Sequence, residues 1–259
     1  MHILVVGGGM GGTILANNLA RRLSGELEQG SSKITMLSAT DKHMYQPGLL
    51  YVAVGKMSTT ELYRDQKSLL EPSIDFHVDP VEKFDMDNNS VTTKSGKKIS
   101  YDILCIATGS RGNAAGIPGL AENACQFYTE ADALAMYKKL QKFEGGKVVV
   151  ATGVPHKCPM SPLEITFFLV DYFKKRGIWD KVDLHYTYPI GRVHSLEPVA
   201  NWAAPEFDKL GITYETLFNM KEVVPGKVIS EEDSSAEFDL LVTVPPHKGQ
   251  QVIEDNELG

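Results

Sequence analysis

The stretch HILVVGGGMGGTILANNLARRL, His2 to Leu23, limits the possible folds more than any other part of the chain. Ile3 to Val6 is an unbroken apolar run, the pattern of a strand buried on both faces. Gly7, Gly9 and Gly12 then match G-x-G-x-x-G. Ile14, Leu15, Asn18, Leu19 and Leu23 give helical spacing over Met10 to Leu23, and KITMLS, Lys33 to Ser38, reads as a second strand. A glycine pattern alone is weak, but a strand before it and a helix and strand after it make it a dinucleotide-loop signature. Gly7 permits the tight turn, Gly9 lets backbone approach a pyrophosphate, and Gly12 lets the helix pack closely on the strand. The helix N-terminus then offers amide donors and a positive dipole to an anion. An incidental strand–helix turn is the bland alternative. One residue departs from the pattern. Ser38 ends the second strand, where an acid usually meets the ribose, and Asp41 stands three residues on.

A second unit of this kind opens at Lys147. KVVVATG reads as a strand, SPLEITFFLVDYFKKRG as a helix closed by Gly177, and VDLHYTYP as a strand. Short alternating segments between the two units (Ile74–Val78, Val81–Asp85, Ser90–Lys94 and Lys98–Ser100) are separated by the turn residues Asn88-Asn89 and Ser95-Gly96. YDILCIATGS is a further buried strand entering a turn at Thr108-Gly109. A helix is expected over Glu130 to Phe143, and DKHMYQPGLLYVAVGKM is expected to be irregular. The fold class is therefore α/β, with two Rossmann-like doubly wound parallel sheets and a small antiparallel meander. Residues 1–112 form the first domain, 113–245 the second, and 246–259 begin a return to the first.

The second loop breaks the dinucleotide pattern. After Gly153 come Val154, Pro155 and His156, whose bulk replaces the amides that would cradle a pyrophosphate, so NAD(P) binding there is doubtful. Cys158 follows, beside Lys157 and two residues from His156. Ser161, Pro162 and Glu164 read as an S-x-x-E capping box with proline at the first helical position. That places Cys158 just before a helix N-terminus, where dipole and neighbouring cations favour a thiolate. A small buried hydrophobe filling the loop is the bland alternative. Glu164 is either the helix cap or an acid–base group near the thiol. Cys105 reads as a core thiol within its strand. Cys125 is divided between structural and redox roles. His185 and His194 read as structural histidines before proton carriers.

Composition excludes several classes. The chain has 259 residues, a net charge of -7, and 23% charged residues. That is no footprint for nucleic acid, which needs concentrated basic surface. Three cysteines without CxxC and seven histidines without HxxxH spacing give no support to a disulfide scaffold or a metal site. No apolar run reaches membrane-spanning length, and no signal peptide is read ahead of the first strand.

VVGGGMGGTILANNLA, TMLSATDKHMYQPGLLYVAVG, YDILCIATGS, HKCPMSPLE and LLVTVPPHKG together resemble the sulfide:quinone oxidoreductases, and more distantly the flavoprotein subunit of flavocytochrome c sulfide dehydrogenase. The resemblance covers essentially the whole chain, and its most specific part is the Cys158 loop with Glu164 six residues later. It implies FAD on the first domain, contacted at Gly7, Gly9, Gly12, Ser38, Pro47, Thr108 and Gly109. It implies oxidation of sulfide to sulfane sulfur or polysulfide through Cys158, with Cys125 and Glu164 as further catalytic residues and quinone as electron acceptor. It also implies a cytoplasmic enzyme peripheral to the membrane, and leaves a homo-oligomer open. The family's later redox cysteine, quinone pocket and membrane-docking helices fall beyond Gly259, so the chain is read as a piece of a longer enzyme without its quinone site. The alternatives are a type II NADH:quinone oxidoreductase, against which the glycine-poor second loop argues, and a non-catalytic flavin- or nucleotide-binding module.

Overall fold

The structure, a computed structural model, describes residues 1–258. The chain divides into two compact units: Met1–Tyr45, Thr60–Arg111 and Gly249–Gly259 form the first, and Gln46–Thr59 with Gly112–Lys248 form the second.

The first unit is built on a four-stranded parallel sheet, in spatial order Ile74–Val78, Lys33–Ser38, His2–Val6, Ile103–Ile106. Successive strand residues point to opposite faces, so the apolar run of the first strand serves two cores. Ile3 and Val5 pack with Ala16 and Ala20 of the glycine-loop helix, Met10–Arg22. Leu4 and Val6 pack with Val81, Phe84, Val91, Ile99 and Tyr101 of an antiparallel meander. The unbroken hydrophobicity of residues 3–6 is thus explained by a strand covered on both sides.

The second unit has a five-stranded parallel sheet, in order Ala124–Cys125, Leu240–Val244, Gly146–Thr152, Val182–Tyr188, Thr213–Thr216. Val149, Ala151 and Leu241 face Phe218, Met220, Val223 and Val228, which come from an antiparallel three-stranded ribbon and the residues leading into it. Val148 and Val150, fully buried, take the opposite face. Two helices pack on the sheet, Ser161–Lys175 against its central strands and Glu130–Lys142 against the edge strand Ala124–Cys125. Arg176 ties them: its Nη1 donates to the carbonyls of Leu140 at 2.7 Å and Phe143 at 2.5 Å, satisfying the end of the first of these helices.

The expected α/β architecture, with parallel sheets and a small meander, is what the chain adopts. The segment expected to be irregular is partly ordered: Gly48–Ala53 is a short helix with Leu49, Leu50, Val52 and Ala53 buried. It belongs to the second unit, whereas the sequence reading placed it in the first. Lys56 fastens it there, pairing with Asp171 at 2.7 Å and lying 4.6 Å from the Phe168 ring centroid. The division after Lys248 also falls three residues later than expected. Among the described residues, no helix is long and apolar enough to cross a membrane.

Candidate functional site

In the first unit, the glycine loop is shaped by backbone rather than side chains. Gly7 has φ +116°, and a Cβ there would overlap the carbonyl of Ala107. Gly7 N–H donates to Leu37 O at 2.8 Å, while Ala107 N–H donates to Val6 O at 2.7 Å. The chain entering the turn at Thr108 and Gly109 therefore runs directly against the loop. At Gly12 a Cβ would overlap the Gly7 carbonyl, so the helix is pressed against the turn. Gly9 and Gly11 are different, with no atom within 4 Å of a hypothetical Cβ. Gly9 is the helix N-cap without a side-chain cap, and the first turn carries no acidic residue. Free amides, open space and an uncompensated helix dipole suit an anionic phosphate.

Ser38 does not stand open to a ligand. It is 5% exposed, its Oγ accepts from Thr40 N at 3.3 Å, and a Cβ on Gly8 would come within 2.6 Å of that oxygen. The serine packs under the glycine loop, and the exposed Thr40 and Asp41 lie beyond it. Two supports of the loop went unread in the sequence. Gln66, fully buried, donates through Nε2 to Thr13 Oγ1 at 2.8 Å, and its Oε1 bonds His43 Nδ1 at 3.0 Å. Thr13 in turn donates to Gly8 O at 3.3 Å. No local pattern marks a glutamine whose partner lies 53 residues away.

The corresponding turn of the second unit is built otherwise. Its strand ends at Thr152 and its helix begins only at Ser161, so Gly153 to Met160 replace the short glycine turn. Gly153 serves packing, since a Cβ there would lie 2.6 Å from Pro246 Cδ. Cys158 is a free, partly exposed thiol in this loop. Lys157 Nζ donates to Gln46 Oε1, which places the residue next to Pro47 against the thiol loop within one unit. Pro47 itself is exposed at the start of its helix. Partial desolvation pushes the Lys157 ammonium down from the usual lysine range.

The expected capping box does not form. Met160, not Ser161, is the N-cap, and no side chain caps the helix. Ser161 instead turns its hydroxyl back to Cys158 O at 2.9 Å and meets the Tyr128 hydroxyl at 2.5 Å. Two donors competed for the serine oxygen, the Glu164 amide and the Tyr128 hydroxyl; the tertiary one prevailed, and the Glu164 amide bonds Met160 O instead. Glu164, released from capping, is raised above the usual carboxyl range by desolvation. A carboxyl so perturbed, six residues after the thiol, is of the kind suited to proton transfer.

Cys125 lies apart from this loop. It is 6% exposed in the edge strand, and its register partner Val242 pairs in turn with Val150. That sets Cys125 two strand spacings, about 10 Å, from the strand that leads into the thiol loop, and level with its interior. Burial pushes this thiol up, and Lys139 opposes the shift. Cys105, in the strand Ile103–Ile106, is likewise pushed up by burial. His185 bonds Thr213 Oγ1 at 2.8 Å, and His194, fully buried, accepts through Nδ1 from Leu196 N at 3.0 Å. Two more residues of the thiol loop's surroundings were missed: Tyr128 and His247, whose rings meet edge-on at 4.4 Å. Among the described residues, no cluster of three His, Cys, Asp or Glu side chains is placed to hold a metal.

Two parallel α/β units, one with an open glycine loop and one with a thiol in its place, define a dinucleotide-binding oxidoreductase architecture. The family model described as pyridine nucleotide-disulphide oxidoreductase matches residues 1–244, and the chain belongs to that family. Among curated proteins, it is 30% identical over 269 residues to the sulfide-quinone reductase of Aquifex aeolicus (strain VF5), covering 97% of this chain and 60% of that one. It is 26% identical over 267 residues to the mitochondrial sulfide:quinone oxidoreductase of Mus musculus, covering 98% of this chain and 58% of that one. The chain thus spans less than two thirds of those relatives' length. The solved structure of the sulfide:quinone oxidoreductase from the hyperthermophilic bacterium Aquifex aeolicus superposes with a TM-score of 0.84 at 27% identity, over 98% of this chain and 60% of that one.

Proposed function

We propose that this chain carries the flavin-binding and thiol-bearing part of a sulfide:quinone oxidoreductase, oxidising sulfide to sulfane sulfur with quinone as the final acceptor. The observation that carries the reading is the exchange of loops. In the first unit the strand empties into a glycine turn and an uncapped helix end. In the second, the same position holds a proline- and histidine-bearing loop ending in Cys158. A dinucleotide suits the first and has no cradle in the second, so one nucleotide cofactor and one thiol are the natural complement.

FAD is the cofactor of this reading: Gly9 and the N-terminus of Met10–Arg22 would hold its pyrophosphate, and it would supply two-electron acceptance. Cys158 would carry the sulfur atom as a persulfide: an S–S bond forms between its sulfur and sulfide, and the two electrons and the proton released would go to the flavin. Glu164, with its raised carboxyl, holds or releases a proton beside it. Cys125, buried in its strand, has an auxiliary role in this scheme. Quinone as acceptor implies contact with a membrane surface, which fits a peripheral cytoplasmic enzyme. An NADH dehydrogenase reading would need a pyrophosphate cradle between Gly153 and Met160, and the loop offers Val154, Pro155 and His156 instead.

The test is sulfide-dependent quinone reduction by the full-length, flavin-loaded protein and its Cys158→Ser variant. Turnover that is lost in the variant with flavin content unchanged is expected. Equal turnover in both proteins would remove Cys158 from the reaction and refute the reading.

A further inference from the structure

The thiol loop is held by hydroxyls that cap no helix and end on no surface. Ser161, 2% exposed, carries one hydroxyl hydrogen, and a carbonyl can only accept. Ser161 therefore donates to Cys158 O at 2.9 Å, and the Tyr128 hydroxyl donates to Ser161 Oγ at 2.5 Å. The direction of the relay follows: Tyr128 to Ser161 to the backbone of Cys158. Tyr128 is itself clamped. Its ring stacks on Phe127 at 5.1 Å and meets the edge of His247 at 4.4 Å. His247, 7% exposed, donates its backbone N–H to Pro155 O at 2.7 Å, so it grips the front of the same loop. Thr129, the next residue, caps the helix Glu130–Lys142 by accepting from Asp132 N at 3.1 Å, which fixes the chain at Tyr128.

We propose that Tyr128 and Ser161 are positioning residues for Cys158, fixing its backbone so that the thiol stays at the N-terminus of the helix Ser161–Lys175. The backbone N–H of Ser161 also donates to Cys158 O, at 3.3 Å, so the first turn of the helix points a second donor at the same carbonyl. Tyr128 remains a protonated donor throughout, because burial pushes its phenol far up and the charges of Cys158 and Glu164 push it further. The catalytic meaning of this relay rests on the thiol chemistry proposed above, but its geometry does not.

The experiment measures alkylation of Cys158 by iodoacetamide in the full-length, flavin-loaded protein, with Tyr128→Phe, Ser161→Ala and the double variant. Tyr128→Phe keeps both ring contacts and removes only the donor. Each single variant is expected to slow alkylation about tenfold, the effect of one hydrogen bond to a partly buried acceptor. The double variant is expected to be no slower than either single one, because both break the same relay. Counted per native, flavin-loaded protein, so that unfolded enzyme does not contribute, sulfide turnover is expected to fall by the same factor in kcat with KM unchanged. Single variants within twofold of the parent, or a double variant whose loss is the product of the two, would overturn the relay. Coupled alkylation in a protein without sulfide turnover would uphold the relay and refute the sulfide reading instead.

Discussion

Gly12→Ala separates the two kinds of glycine in the first loop. The added Cβ would overlap the carbonyl oxygen of Gly7, a backbone atom that cannot rotate aside. Inserting a methyl group into packed structure costs about 1–3 kcal/mol, and contact with rigid backbone belongs at the upper end. Gly11→Ala, one position earlier, meets nothing within 4 Å and sits at a helical residue without positive φ. Replacing glycine by alanine there gains up to about 1 kcal/mol. The two variants should therefore differ by about 4 kcal/mol, or roughly 8–16 °C in melting temperature at 2–4 °C per kcal/mol. Gly9→Ala is the third member of the series. It also meets nothing within 4 Å, so the fold should change by no more than about 1 kcal/mol, while the proposed seat of the FAD pyrophosphate at Gly9 predicts that FAD retention falls. Thermal unfolding followed by far-ultraviolet circular dichroism, with flavin content of the same samples, reads all three. Equal melting of Gly12→Ala and Gly11→Ala would refute the close approach of helix and turn.

Two further outcomes follow from the packing of the second unit. Arg176→Ala takes the arginine donor from the carbonyls of Phe143 and Leu140, of which Leu140 O keeps the Phe143 N–H, and should lower stability by about 1–3 kcal/mol in urea unfolding; Arg176→Lys should recover little, since one ammonium cannot reproduce the guanidinium fork. His156, His185 and His247 are each pushed down by burial. Near the ordinary value of about 6.5, the unfolded chain takes up protons that the folded chain refuses. Their contribution is thus complete above that value and is lost progressively as pH falls below it. The urea midpoint should drop between about pH 7.5 and about pH 5.5, and His247→Phe should flatten that slope; a midpoint constant across the window would contradict the burial of these rings.

Much of the architecture was legible because its signals are local. The apolar runs at Ile3–Val6 and Val148–Ala151 announce buried parallel strands, and the helices at Met10 and Glu130 begin where their sequences change period. The helix Gly48–Ala53 escaped because proline and glycine bracket a segment too short for helical periodicity to register, and its stability comes from docking through Lys56 and Phe168. Ser161 misled for a related reason. S-x-x-E is a sound capping signal in isolation, but Tyr128, 33 residues earlier, competes for the hydroxyl. The glycine loop and the thiol loop were both visible; their supports, Gln66 and Tyr128, were not, because each acts across the chain. Ser38 shows the opposite case, a residue that its position at the strand end singles out as a ribose contact but that is turned inward under Gly8.

The central claim is that the second unit offers a reactive thiol where its counterpart offers a nucleotide cradle. The most direct measurement is an anaerobic titration of the full-length, flavin-loaded protein, first with sulfide and then with NADH, following the visible flavin band beside a Cys158→Ser control. Bleaching by sulfide that is absent from the variant, with NADH inert, is the predicted result. Prompt bleaching by NADH with no response to sulfide would contradict the account.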